Sequence, residues 1–273
     1  MHGEVVEVVR LAPRLVRVVL GGDGLDGFAS TPYTDQYVNA LFVPSGAPYT
    51  VPFDLDAVRA LPAELRPVGR RYTIRSWDPV DRLVAIDFVV HGDTGVAGRW
   101  AHNATPGDRL QFVGPTGAYV PDTTADWHLM VGDESALPAI AASLERVPAG
   151  IPARAVLVVD GPADEIPLDC PGRLEVMWVH RDSEPGNHEL LPRAVGALEL
   201  PIGRVHAFVH GEASEVRAVR TLLLGGRGIP REWTSISPYW RRDFTDESWR
   251  EVKSAWLAEV EADVLTDSDA LPN

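Results

Sequence analysis

Short β-branched runs alternate with polar residues through the first part of the chain, at 5–9 and 15–20, parted by Ala12-Pro13 and closed by Gly21-Gly22-Asp23-Gly24. Runs of the same kind follow at 37–43, 72–77, 83–90 and 109–113, with Pro, Gly and Asp between them. A period of two punctuated by turn residues predicts strands, and six such strands with little helix predict a small antiparallel barrel. One short helix is expected from Gly95, where Ala97, Trp100 and Ala101 share a face. The pattern changes after Tyr119. Pro121-Asp122-Thr123-Thr124-Ala125-Asp126 has the polar, turn-rich character of a linker, so domains are expected at 1–122 and 123–273. Beyond it strands are expected at 127–131, 155–160, 174–180 and 204–210, and helices at 137–147, 188–197 and 214–224. This βαβ rhythm predicts a parallel sheet with helices on both faces. A last helix, 246–264, opens on Thr245 as its N-cap and places Trp249, Val252, Trp256 and Val260 in one stripe.

Composition narrows the partners. Of 273 residues, 39 are acidic and 25 basic, a net charge of −14 that repels phosphate backbones and anionic lipid, so nucleic acid is not an expected partner. No apolar run approaches the roughly 18 residues of a membrane helix, and no membrane insertion is expected. Glu4, Glu7, Arg10, Arg14 and Arg17 interrupt the first valines as a secretory signal would not allow, so a cytoplasmic location and a monomeric state are expected. Cys170 is the only cysteine, which excludes an internal disulfide and any multi-cysteine metal centre. His206 and His210 lie in a strand pattern, where four residues span about 13 Å, so they are not a metal pair.

Parallel sheets bind ligands beyond the carboxyl ends of their strands. The expected strand-to-helix junctions there are 131–138 and 209–214, both able to present backbone N–H groups to an anion. Their Asp, Glu and Ser residues serve equally well as helix caps. There is no Walker sequence and no Gly-x-Ser-x-Gly elbow. In the first half, Arg70-Arg71-Tyr72-Thr73-Ile74-Arg75-Ser76 is the densest polar strand. Alternation sets Arg71, Thr73 and Arg75 against Tyr72, Ile74 and Ser76. Such residues can clamp a phosphate, stack on a planar ring and bond a ring nitrogen, or simply form a solvated strand over a core tyrosine. The run from Asp87 to Trp100 leads a strand into a glycine-rich helix start, which suits a pyrophosphate.

With these segments in view the chain resembles the siderophore-interacting proteins, flavin-dependent ferric-siderophore reductases related to the ferredoxin reductases. The resemblance rests on Arg71-Tyr72-Thr73-Ile74-Arg75, residues 87–93, Pro106-Gly107-Asp108, Gly114-Pro115-Thr116-Gly117, residues 132–138, Gly211-Glu212-Ala213 and residues 235–242, in that order. It implies an FAD-binding barrel followed by an α/β domain that receives NADH or NADPH. Arg71, Tyr72, Thr73 and Ser76 would line the flavin, with Asp87, Val89, His91, Gly92, Gly95, Val96 and Ala97 around its pyrophosphate and Thr73 as the catalytic contact. Gly132, Asp133, Glu134, Ser135 and Ala136 would meet the dinucleotide, and Tyr239 and Trp240 would close over the flavin region. A ferric siderophore would meet Asn39, Arg75, Arg241 and Arg242, and no metal would be bound by the protein itself. The family often has lysine at Asn39 and glycine at Pro238 and Asp243, departures that bear on the chelate. The carboxylate of Asp160 suits a ribose hydroxyl and so NADH over NADPH, or else it only begins a turn. Two other functions stay open: a non-enzymatic flavin or siderophore binder, and a general flavoprotein reductase serving a protein or free flavin.

Overall fold

The computed structural model describes residues 1–90 and 95–268, with side chains as far as Val260. The chain divides into two compact units, Met1–Val120 and Pro121–Asn273.

In the first unit, β1 (His2–Ala12), β2 (Leu15–Gly21), β3 (Tyr37–Phe42), β4 (Val68–Asp78), β5 (Leu83–Val89) and β6 (Arg109–Thr116) close an antiparallel barrel in the order β1-β2-β5-β4-β3-β6. Closure leaves no edge strand. Alternation decides the two faces: Val38, Ala40 and Phe42 of β3 are in the core, while Tyr37 and Asn39 point outward. Between β3 and β4 lies α1 (Leu55–Arg59), whose N-cap Asp54 accepts from the amides of Asp56 and Ala57. The helix expected from Gly95 is α2 (Val96–Asn103). It packs Ala97 and Ala101 into the core, and Trp100 meets Phe42 and Phe88 at 5.8 Å.

The alternation expected along β4 holds only as far as Ile74. A bulge between Ile74 and Ser76 shifts the register against β5, so Trp77, not Ser76, returns to the core, and Ser76 is exposed.

The second unit is a parallel sheet of β7 (Trp127–Asp133), β8 (Pro152–Val159), β9 (Arg173–His180), β10 (Val205–Glu212) and β11 (Thr234–Trp240), in the order β11-β10-β7-β8-β9. Around it are α3 (Leu137–Leu144), α4 (Leu190–Gly196), α5 (Ala213–Arg220) and α6 (Asp246–Ser268). Trp127, Leu129 and Val131 of β7 pack with Leu191 of α4 and Val216 of α5 on one face. On the other face Gly132 lies so close to α3 that a Cβ there would sit 3.0 Å from Ile140 Cδ1. Helices thus cover both faces.

The second unit departs from the pattern in four places. β11 was absent from the expected strands, because Ser235-Ile236-Ser237-Pro238 lacks a β-branched run and carries a proline, which an edge strand tolerates. α3 stops at Leu144, short of 147. α5 gives way after Arg220 to a wider π turn, Thr221–Gly226. On α6, Trp249, Trp256 and Val260 are buried but Val252 is 37% exposed and outside the stripe. Thr245 does cap that helix, its hydroxyl accepting from the Ser248 amide at 3.2 Å. No helix among the described residues is long and apolar enough to cross a membrane.

Candidate functional site

On the outer wall of the barrel, β3 and β4 bring Asn39 opposite Arg71 and Tyr37 opposite Thr73. Arg71 is exposed, with its guanidinium 6.0 Å from the centre of the Tyr37 ring. Thr73 is buried on the same wall, and Arg75, half-buried, is the residue at the bulge. Tyr72 takes the opposite side, its ring 4.3 Å from that of Phe88 at the core. Asn39 packs over Gly69, where a Cβ would come within 2.9 Å of its amide, and its Oδ1 is buried without a hydrogen-bond partner among the described residues.

Other expected contacts sort differently. Asp87 is committed to the wall: its two oxygens accept from Arg17 Nε at 2.7 Å and Nη2 at 2.9 Å, a bidentate pair across β2 and β5 that leaves little of the carboxylate for a cofactor. Val89 ends β5, half-buried. His91 and Gly92 lie outside the described residues. Gly95 enters α2 at φ 76°, a conformation glycine reaches without strain, and no described atom lies within 4 Å of where its Cβ would be. Among the described residues no side chain caps the helix, which leaves the amides of its first turn, at Val96 and Ala97, as donors for an anion. An open glycine leading to an uncapped helix start, in a unit whose β4 carries arginines, fits a diphosphate such as that of FAD.

In the second unit the carboxyl ends of the strands converge on Asp133. Its carboxylate is buried and accepts from the Ser135 amide at 2.8 Å, the Ser135 hydroxyl, the Glu212 amide at 2.9 Å and the Trp240 indole N–H at 2.8 Å. Gly211, at φ 147°, has no room for a side chain, because a Cβ would fall 2.8 Å from Asp133 Oδ2. Gly132 and Ala136 are buried at this junction, while Ser135 is half-buried.

Charge is concentrated here. Arg181, following β9, donates through Nη1 to Glu134 Oε1 at 2.7 Å and to Asp160 Oδ1 at 2.9 Å. Burial pushes the Glu134 carboxyl up, Asp133 adds to the push, and Arg181 opposes it. Glu212 is fully buried: Oε2 caps α5 by accepting from Ser214 N at 2.7 Å and Glu215 N at 3.1 Å, and Oε1 accepts from Arg242 N at 3.2 Å. Burial, reinforced by Asp133, raises Glu215 to about 7. Arg181, Glu212 and Glu215 were not singled out as site residues from the sequence. Glu212 was marked only within the junction 209–214 and the motif Gly211-Glu212-Ala213, where a polar residue serves equally well as a cap, and Arg181 and Glu215 carried no signal of their own.

The C-terminal residues extend this cluster. Trp240 is 36% exposed although its N–H is held by Asp133. Tyr239 lies against His210, ring centres 4.8 Å apart, and burial drives that imidazole down to about 3. The Arg241 guanidinium stacks 4.5 Å over Phe244 and 5.7 Å from the Trp249 ring, so it is anchored by cation–π contact. The structure therefore gathers Asp133, Glu134, Ser135, Trp240 and Arg242 at one end of the sheet, and Asn39, Arg71 and Thr73 on one barrel wall with Arg75 at the bulge beside them.

The family pattern described as "Siderophore-interacting FAD-binding domain" matches residues 4–119, and "Siderophore-interacting protein" matches residues 125–243. The chain belongs to the siderophore-interacting protein family. Among its relatives, the "Uncharacterized protein Rv2895c" of Mycobacterium tuberculosis is 44% identical over 272 residues, covering 95% of this chain and 96% of the relative. "Ferric vibriobactin reductase ViuB" of Vibrio cholerae is 32% identical over 252 residues, covering 91% and 92%. The structure of a siderophore utilization protein from T. fusca superposes with a TM-score of 0.77 at 37% identity, over 90% of this chain and 94% of that one. The fold of this family member also matches the ferredoxin reductase of carbazole 1,9a-dioxygenase, with a TM-score of 0.64 at 21% identity over 87% of this chain and 68% of the other. The antiparallel barrel followed by a parallel sheet is thus the ferredoxin-reductase-like arrangement, as the sequence implied.

Proposed function

We propose that the protein is an FAD-dependent NAD(P)H:ferric-siderophore oxidoreductase that reduces chelated Fe(III) to Fe(II). The observation that carries the reading is the open, uncapped start of α2 in a unit whose β4 presents arginines, within a match to a siderophore-interacting FAD-binding domain. The reductase named in Vibrio cholerae supports the chemistry. When bound, FAD supplies the conversion between the two-electron chemistry of a nicotinamide and the single-electron reduction of iron.

The chain's own residues position and tune. The amides of Val96 and Ala97 and the guanidinium of Arg71 neutralise phosphate charge. Thr73, buried on the outer wall, offers a hydroxyl to the ring, and Asn39 on the same wall and Arg75 at the bulge beside it stand ready for the chelate. In the second unit, Ser135 and Glu134 meet the dinucleotide, and Arg242 adds to the positive charge that Arg181 brings to an acidic cluster. Since Fe(III) is held by oxygen donors far more tightly than Fe(II), reduction alone releases the metal, and no protein acid or base is required. A cytoplasmic location suits this role.

Donor choice follows from the Asp160–Arg181–Glu134 bridge. Two carboxylates share one guanidinium, so the bridge carries excess negative charge, and NADH is favoured over NADPH with its added phosphate. Purified protein should be yellow and release FAD on heating. It should oxidise NADH with a ferric hydroxamate as acceptor, because Asn39 leaves out a positive charge that an anionic catecholate would use. A colourless preparation that ignores added FAD defeats the proposal. Binding of FAD and chelate without turnover would identify a binder, and faster reduction of protein or free-flavin acceptors a general reductase. Arg71→Ala should weaken FAD binding by about 1.5–3 kcal/mol, read by titration of the apoprotein.

A further inference from the structure

Four donors converge on the Asp133 carboxylate, and two of them come from outside the strand-to-helix turn. The Ser135 amide and hydroxyl close the local turn, and the Glu212 amide ties β7 to β10. The fourth is the indole N–H of Trp240, 107 residues away at the end of β11. Backbone pairing brings Trp240 beside Glu212 but leaves its side chain free to turn. The 2.8 Å bond to a buried carboxylate removes that freedom, while more than a third of the residue stays open to solvent. The neighbouring segment is held as well: Lys253 Nζ donates to Pro238 O at 2.7 Å, and Glu212 Oε1 accepts from Arg242 N. A rigid, half-exposed aromatic plane at the carboxyl end of a parallel sheet is a wall for a flat ring.

We propose that Asp133 is a positioning residue that fixes the Trp240 indole as a preset wall for the nicotinamide end of the reductant. Asp133 touches no substrate itself; it also holds Ser135 and the Glu212 amide, and the Trp240 background in the test separates its action on the indole from those bonds. The assignment of the ring's ligand rests on the oxidoreductase reading above. The orientation of Trp240 by Asp133 does not.

The test is a double-mutant cycle with two readouts on the FAD-loaded protein. In wild type the Trp240 indole proton, assigned by its loss in Trp240→Phe, should exchange with solvent at least about tenfold more slowly than in Asp133→Asn. In steady-state oxidation of NADH, Asp133→Asn should lower kcat about tenfold or more with little change in KM, because a misplaced ring loses transition-state alignment but not the binding of the rest of the dinucleotide. In a Trp240→Phe background the same Asp133→Asn change should cost less than about twofold, the non-additivity expected of residues that act as a unit. Additive losses with unchanged KM would show that Asp133 is merely structural, and they overturn the proposal. An indole proton that exchanges equally fast in wild type and Asp133→Asn overturns it too. If Asp133→Asn fails to fold, the comparison of Trp240→Phe with Trp240→Leu decides: a wall for a ring requires Phe to keep several-fold more kcat than Leu, and equal values sink it. Wild-type protein that oxidises neither NADH nor NADPH removes the functional reading and the ring's ligand with it. The exchange measurement then reports on the orientation alone.

Discussion

The two units handle buried polarity in opposite ways. In the barrel the buried carboxylates are matched: Asp87 is held bidentately by Arg17, and Asp35 accepts from the amides of Ala118 and Tyr119. In the α/β unit several buried groups have atoms without a partner among the described residues, including both nitrogens of His128, Nδ1 of His210 and Oε2 of Glu215. Burial lowers His128 to about 4 and His210 to about 3, and raises Glu215 to about 7. A barrel wall exposes its outer face, so charges there can be paired in the plane of the sheet. A parallel sheet covered on both faces buries whatever its strands carry. The α/β unit therefore carries the buried groups whose protonation is most displaced by folding.

The largest consequence is on the acid side. A histidine whose pKa is depressed on folding contributes stability above its unfolded pKa, near 6.5, and that stability is lost as pH falls toward the folded value. His128 and His210 together should remove on the order of 5 kcal/mol between pH 6.5 and pH 3–4. Six of the eight tryptophans, Trp127 onward, lie in the α/β unit, so its unfolding should appear in tryptophan fluorescence before far-UV signals of the barrel change. Simultaneous loss of both signals would erase the contrast.

Next in size is the barrel pair. Removing one partner strands a buried charge, so Asp87→Asn or Arg17→Met should cost about 3–4 kcal/mol in denaturant unfolding, and replacing both by apolar residues much less. Near-equal losses for single and double variants would show that the wall needs the charge itself.

Smaller, and opposite in sign to the histidines, is Glu215. Its folded pKa is raised, so its contribution is fully present below about 4.5 and is lost as pH rises through about 7. Glu215→Gln should therefore gain about 2 kcal/mol at pH 8 and nothing at pH 4, measured as a difference in Tm between the two pH values.

Much of the architecture was legible because it depends on local patterns. The valine-rich hairpin of β1 and β2, the four strands β7 to β10 of the parallel sheet and the caps at Thr245 and Glu212 all leave a signature within a few residues. What stayed hidden depends on residues far apart. The bulge at Ser76 follows from the register of β5, the engagement of Asp87 from Arg17 70 residues earlier, and the Asp133–Trp240 bond from a strand that does not read as one. Val252 failed for a different reason. A helical period finds a stripe, but whether its edge positions are covered depends on what packs against the helix.

The strand orders carry one more consequence, for the chain as it is made. β6 closes the barrel at Thr116, so everything the barrel needs has left the ribosome while most of the second unit is still unwritten. The parallel sheet grows differently: β8 and β9 extend it on one side of β7, and the other side stays bare until β10 emerges with Val205–Glu212. At about 5–20 residues per second that flank of β7 waits several seconds for its neighbour. During this interval the backbone N–H and C=O groups of Trp127–Gly132 that β10 will pair stay open to chaperones and to wrong partners, while the closed barrel upstream offers no such edge.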